Sequence, residues 1–143
     1  MNNYHLNENI TLYTITASSF PEGVVAAFEE LYQHASPEDV SAYYGVSYAN
    51  KSGEITYKAA MALKESVTNI PKLAIFILCA GEYRGEELLN FRAKIGTIGN
   101  TFQELIHQSD LDEHGCCVEM YYNDTDVRCM VRIKDKVEEA SKH

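Results

Sequence analysis

The sequence predicts an α+β fold: an antiparallel sheet made of two pseudo-symmetric strand-helix-strand-strand units, with two main helices on one face and a ligand groove between the units. Three observations predict it. The 143-residue chain is 45% apolar and 23% charged, the balance of a globular domain that can bury a core. Short runs rich in Tyr, Val and Ile alternate with the hairpin signals "NKSG" and "NDTD". Finally, "AFEELYQHAS" (27–36) is echoed 74 residues later by "TFQELIHQSD" (101–110), with Phe28 on Phe102, Glu30 on Glu104, Leu31 on Leu105 and, upstream, Val24 on Ile98. An offset of half the chain is the mark of an internal repeat.

Each element follows in turn. "NITLYTITA" alternates as a strand. Pro21 suits the first turn of a helix, and Val24, Phe28, Leu31 and Tyr32 form its apolar stripe. "DVSAYYGVSYAN" and "GEITYKAAMAL" are two strands joined through "NKSG". The long run "KLAIFILCAGEYRGEELLNF" is expected to break at Ala80–Gly81, where a bend is cheap. Thr97 is a candidate N-cap for the second helix, whose stripe is Ile98, Phe102, Leu105 and Ile106. "GCCVEMYY" and "VRCMVRIK" close a second hairpin through "NDTD". The expected organisation is one domain of two repeats, about 6–63 and 72–134, followed by a charged tail at 135–143 read as a frayed helical end.

Composition excludes several functions. A formal charge of -9 leaves no basic face for nucleic acid or an anionic membrane. No run of 18 apolar residues offers a membrane span, and "MNNYHLNENI" lacks the features of a secretory signal. A cytoplasmic location with four reduced thiols is therefore expected. Cys116 and Cys117 are adjacent and point to opposite faces of a strand; with no CxxC pair and no ligand-like histidine spacing, neither metal nor other cofactor is expected.

The residue that carries the functional argument is Glu119, a carboxylate inside the strand-like run "CCVEMYY". Alternation puts Cys117, Glu119 and Tyr121 on one face and Val118, Met120 and Tyr122 on the other. Val118 and Met120 suit packing against helices, so Glu119 and Tyr121 are expected to face the groove; the alternative is an exposed glutamate on the solvent face of the sheet. Ten tyrosines and no tryptophan suggest aromatic walls. The tyrosine-bearing faces of the first hairpin contribute Tyr44 from one strand and Tyr57, with Met61, from the next.

At this point the chain resembles the GyrI-like small-molecule-binding domain, the effector-binding domain of bacterial multidrug-responsive transcription regulators. The resemblance runs from about Ile10 to Ile133 and rests on "CAGEYRGEELLNF", "IGTIGNTFQELI" and "GCCVEMYYND", the last matching the strand in which that family places a pocket glutamate before an aromatic. Two departures stand out. Cys116, Cys117 and Val118 replace the proline common before the glutamate, and the usual Trp of the second helix region is absent. No helix-turn-helix precedes the domain, so the standalone members are the closer comparison.

The resemblance implies binding of hydrophobic small molecules, cationic ones included, as an effector-binding or sequestering module in bacterial transcription regulation. The expected ligand-binding residues are Glu119, Tyr121, Tyr57, Tyr44, Tyr83, Phe91 and Met61. The expected partner is a small-molecule ligand, with a homodimer allowed. The alternative is a hydrolase of reactive electrophiles in which Glu119 is the general base. A haem-binding reading follows only from the similar fold of SOUL-type proteins.

Overall fold

The computed structural model describes residues 1–93 and 96–134; the 135–143 tail lies outside them. Eight strands and two helices follow one another as β1 (Asn2–Leu6), β2 (Ile10–Thr16), α1 (Val24–Leu31), β3 (Val40–Ala49), β4 (Ile55–Leu63), β5 (Ala74–Leu78), β6 (Gly81–Leu88), α2 (Thr97–Leu105), β7 (Cys117–Tyr121) and β8 (Val127–Arg132). All strands join one antiparallel sheet in the order β1-β6-β8-β7-β3-β4-β2-β5. No helix among the described residues is long and apolar enough to cross a membrane.

The hairpins form where their turn residues place them. Asn50 Oδ1 accepts the amides of Ser52 and Glu54, both at 2.9 Å, and Gly53 takes a φ of 82°. In the second turn Asn123 Oδ1 accepts those of Thr125 and Asp126, both at 2.8 Å. The long run in the middle breaks at Cys79–Ala80, just before Gly81 with φ 138°, and the Ala80 amide donates to Asn9 Oδ1 at 2.8 Å. Its two pieces pair with both pieces of the N-terminal run: β5 with β2, and β6 with β1. β1 itself, "NNYHL", was not anticipated, because Tyr4 and Leu6 alone are too short an alternation to mark a strand.

The helix starts differ from expectation. The cap of α2 is Gly96 at φ 94°, and Thr97 is the first helical residue. Pro21 lies in a turn that precedes α1, and the helix opens at Val24. Of the two stripes, Leu31 and Leu105 are fully buried, whereas Phe28 and Phe102 are half-buried, and Tyr32 and Ile106 face water.

Three apolar clusters hold the sheet. One gathers Leu12, Tyr44, Val46, Leu78, Tyr83, Val118 and Met130, with Tyr4 and Leu6 of β1 and Phe76 of β5 packed on it. Strands from opposite ends of the sheet order meet there, so the sheet curls around this cluster. The second joins Ala27 and Leu31 of α1 to Ala59 and Met61 of β4. The third joins Leu105 of α2 to Val127, Cys129 and Val131 of β8, with Cys117 and Tyr121 against it. This reverses one expectation. Val118 and Met120 pack inside the curl and not against a helix; Cys117 and Tyr121 take the helix side. Hydrophobicity alone favoured the wrong face, because the curl buries the sheet's second face as completely as a helix would.

Candidate functional site

Glu119 sits in the middle of β7, opposite Gly45 on β3 and Cys129 on β8. A central strand with paired neighbours on both sides fixes its backbone, so the direction of its side chain is set by the ladder. Only 9% of the residue is exposed.

Two phenols close on this carboxylate. Tyr57 of β4 donates from Oη to Oε1 at 2.9 Å, and Tyr121, two residues on along β7, donates to the same Oε1 at 2.5 Å. Gly45 makes the first contact geometrically feasible. A Cβ there would lie 1.9 Å from Tyr57 Oη and 2.8 Å from Glu119 Oε1. The glycine in "YYGVSY" is thus the gap through which a tyrosine of the next strand reaches the acid.

Phenylalanines surround the tyrosines. Phe28 of α1 meets both edge-on, with centroids 6.2 Å from Tyr57 and 6.2 Å from Tyr121. Phe20 stacks on Tyr57 at 5.7 Å, and Phe91 leans on Tyr121 at 5.4 Å. Phe20 is 44% exposed, so the aromatic shell opens to water on that side.

The electrostatics follow from burial. Desolvation holds the Glu119 carboxyl above its ordinary range, and the two phenol donors pull it part of the way back. Both phenols are raised in turn, first by burial and then by the adjacent carboxylate. Burial, then Glu119 itself, pushes the Cys129 thiol up to about 12 and the Cys117 thiol up to about 11. Thiols that hold their protons so firmly are poor nucleophiles at neutral pH. No lysine, arginine or histidine pairs with Glu119 among the described residues, and they contain no cluster suited to a metal ion. The site is a buried acid without a cation, lined by rings.

Of the residues expected from the sequence, Tyr57 and Tyr121 bond Glu119, and Phe91 packs on Tyr121. Met61 shares their face by register but is wholly buried beneath α1. Tyr44 and Tyr83 lie inside the curl, on the opposite face, 3% and 2% exposed. Tyr83 donates to the Cys79 carbonyl at 2.7 Å, and burial raises its phenol to about 12. A cavity of about 450 Å³ opens near Tyr83, lined also by Tyr48, Phe76 and Arg132; Glu119 takes no part in it. Sequence reasoning missed Phe20 and Gly45 and took Phe28 for a core anchor only. A glycine inside a strand pattern was the available signal for close approach.

No protein-family model matches this chain, and no curated protein matches its sequence. Among solved structures, an integron cassette protein from the mobile metagenome of Vibrio cholerae superposes with a TM-score of 0.70, covering 93% of this chain and 95% of that one at 14% sequence identity. The architecture of the chain is therefore shared with a known structure.

Proposed function

We propose that the protein is a receptor or sequestering module for hydrophobic small molecules, with flat organic cations preferred, built as a GyrI-like domain. The observation that carries this reading is the acid without a counter-charge: Glu119 is buried, has no cationic partner among the described residues, and is held by Tyr57 and Tyr121, on whose rings Phe20, Phe28 and Phe91 pack. Burying a carboxylate without a counter-charge is costly. A ligand that brings the positive charge removes that cost, and each ring face adds about 0.5–2 kcal/mol of cation-π attraction. The two phenols hold the acid in the empty state and are the groups that must yield when a ligand enters.

The two-unit reading supports the same centre. The units would be β2-α1-β3-β4 and β6-α2-β7-β8, and the order β6-β8-β7-β3-β4-β2 reads alike from either end. The 74-residue offset carries buried Ala27 and Leu31 onto buried Thr101 and Leu105. It also carries Gly45 onto Glu119, and these two are direct partners in the β3–β7 register. On this reading the ligand site lies on the internal two-fold, where one repeat supplies the acid and the other the space for it. The site's place in a cytoplasmic regulatory system is part of this proposal and rests on the family resemblance.

The hydrolase alternative uses the raised proton affinity of Glu119 and has no further observation in its favour. Fluorescence titration with a flat cationic dye and an anionic dye of similar size tests the proposal. Tighter binding of the cation, lost in Glu119→Gln, is expected. Equal affinities, or tighter binding of the anion, would overturn it. Turnover of an electrophilic ester that disappears in the same variant would favour the hydrolase.

A further inference from the structure

The sheet order ends in β1 and β5, so each has one edge without a strand neighbour. The two edges are finished differently. β1 is polar, and charge surrounds it: His5 Nδ1 lies 2.6 Å from Glu82, the Met1 amino group 3.5 Å from Glu86, and Arg84 Nε donates to Asn3. Charge on an edge is a common guard against strand pairing. β5 reads "AIFIL". No charged residue occurs between Lys72 and Glu82, no proline interrupts the strand, and Ile75 and Ile77 are 59% and 42% exposed.

We infer that β5 pairs with β5 of a second copy of this chain, antiparallel about a two-fold axis through Phe76, so that the two sheets join edge to edge. The register makes the strand complementary to itself. Ile75 falls opposite Ile77 of the second copy and the reverse, which brings four exposed isoleucines into one row on one face. Continued outward, the same register sets Leu73 opposite Cys79 of the second copy and Lys72 opposite its Ala80. Cys79 lines the 450 Å³ cavity, whose wall also carries Glu113 and the Asp112–Arg132 ion pair. Lys72 is exposed and makes no ion pair among the described residues, so pairing delivers it to the rim that carries Glu113, once on each side of the axis. Charge also selects this edge. Each copy carries a net charge of -9, and an uncharged strand flanked by Lys72 adds no like-charge repulsion of its own when two such molecules approach. The pairing is independent of what Glu119 binds.

Sedimentation equilibrium of the full chain, from micromolar to near-millimolar concentration, tests the inference. The wild type is expected to dimerise within that range. Ile75→Lys with Ile77→Lys should leave a folded monomer, because each lysine guards the edge. Lys72→Glu should weaken the dimer by roughly fivefold or more, since two symmetric attractions become repulsions. Leu89→Lys alters another exposed side chain, 62% exposed and just past β6, and should leave the dimer unchanged. A wild type that stays monomeric, or a dimer that survives the two edge lysines, would overturn the proposal. Should the double variant fail to fold, the Lys72→Glu measurement decides, and a dimer it does not weaken also counts against the pairing.

Discussion

Along β7, neighbouring residues are buried by opposite means. Val118 points into the curl of the sheet, among Val46, Leu12 and Met130, where shape and hydrocarbon do everything. Glu119 points the other way and is nearly as buried, yet two hydrogen bonds from tyrosines hold it. The first face gains stability from every atom it hides. The second gives some away, because a desolvated acid is kept where hydrocarbon would fit.

The largest effect is expected inside the curl. Met130 is 1% exposed and packs against residues from several strands. Met130→Ala should cost about 2–5 kcal/mol in urea unfolding, as truncation of a packed core residue does. It should leave the preference for cationic dyes intact, because it lies on the face away from Glu119. Loss of that preference in a variant that still folds would mean that the two faces are not separable.

Next comes Gly45→Ala. The added methyl must displace Tyr57, whose Oη would otherwise lie 1.9 Å away. Overpacking of this kind costs about 1–3 kcal/mol. It should also strip one phenol from Glu119 and change cation affinity, a result that a purely structural glycine would not give. A variant that binds dye as the wild type does would show that the Tyr57 contact is dispensable.

Phe28 and Phe102 sharpen the contrast within the helices. The 74-residue offset makes them equivalent, and the sequence presents both as anchors of their helices. In the structure the anchors are Leu31 and Leu105, one turn further on, and the two phenylalanines are half-buried. Phe28 touches both tyrosines of the site, whereas Phe102 packs in the cluster of α2. Each Phe→Ala change should cost about 1–3 kcal/mol. Only Phe28→Ala should weaken dye binding, by about 0.5–1.5 kcal/mol for a lost aromatic wall. Equal binding losses in both would remove the asymmetry.

How much of this was legible follows from the kind of signal each feature leaves. The order of helices and hairpins was readable because periodicity and turn residues are local: Asn50, Gly53 and Asn123 act within their own turns. β1 was not readable, since its pairing with β6 depends on a distant strand and Tyr4 and Leu6 are its only apolar signal. The curl was not readable either, because it arises from the pairing of β1 with β6 and β5 with β2. That one non-local fact put Tyr44 and Tyr83 inside the core and sent Val118 inward. The meeting of Tyr57 and Tyr121 with Glu119 was within reach of the sequence because an acid among aromatics is conspicuous in a strand. Phe20 and Gly45 serve the site through contacts between elements, which leave no periodic trace.

The last and smallest effect concerns the charge of Glu119. Burial raises its proton affinity in the folded state above that in the unfolded chain. The folded protein therefore holds this proton more firmly than the unfolded one. The stability it confers is fully present below the ordinary carboxylate range and is lost as pH rises through the raised folded value. Glu119→Gln cannot titrate. Wild type should therefore lose stability relative to the variant as pH climbs through this window, and the difference should level off above it. Chemical unfolding of both proteins at matched pH values isolates the one group, since every other titration is shared. At neutral pH the variant should match or exceed the wild type. Binding should respond in the opposite sense: a cation gains its partner only when Glu119 is ionised, so wild-type affinity should rise through the same window while that of the variant stays flat. If the two stability curves run parallel and both proteins bind the dye with the same dependence on pH, Glu119 does not carry a buried charge that a ligand uses, and the two faces of β7 differ only in shape.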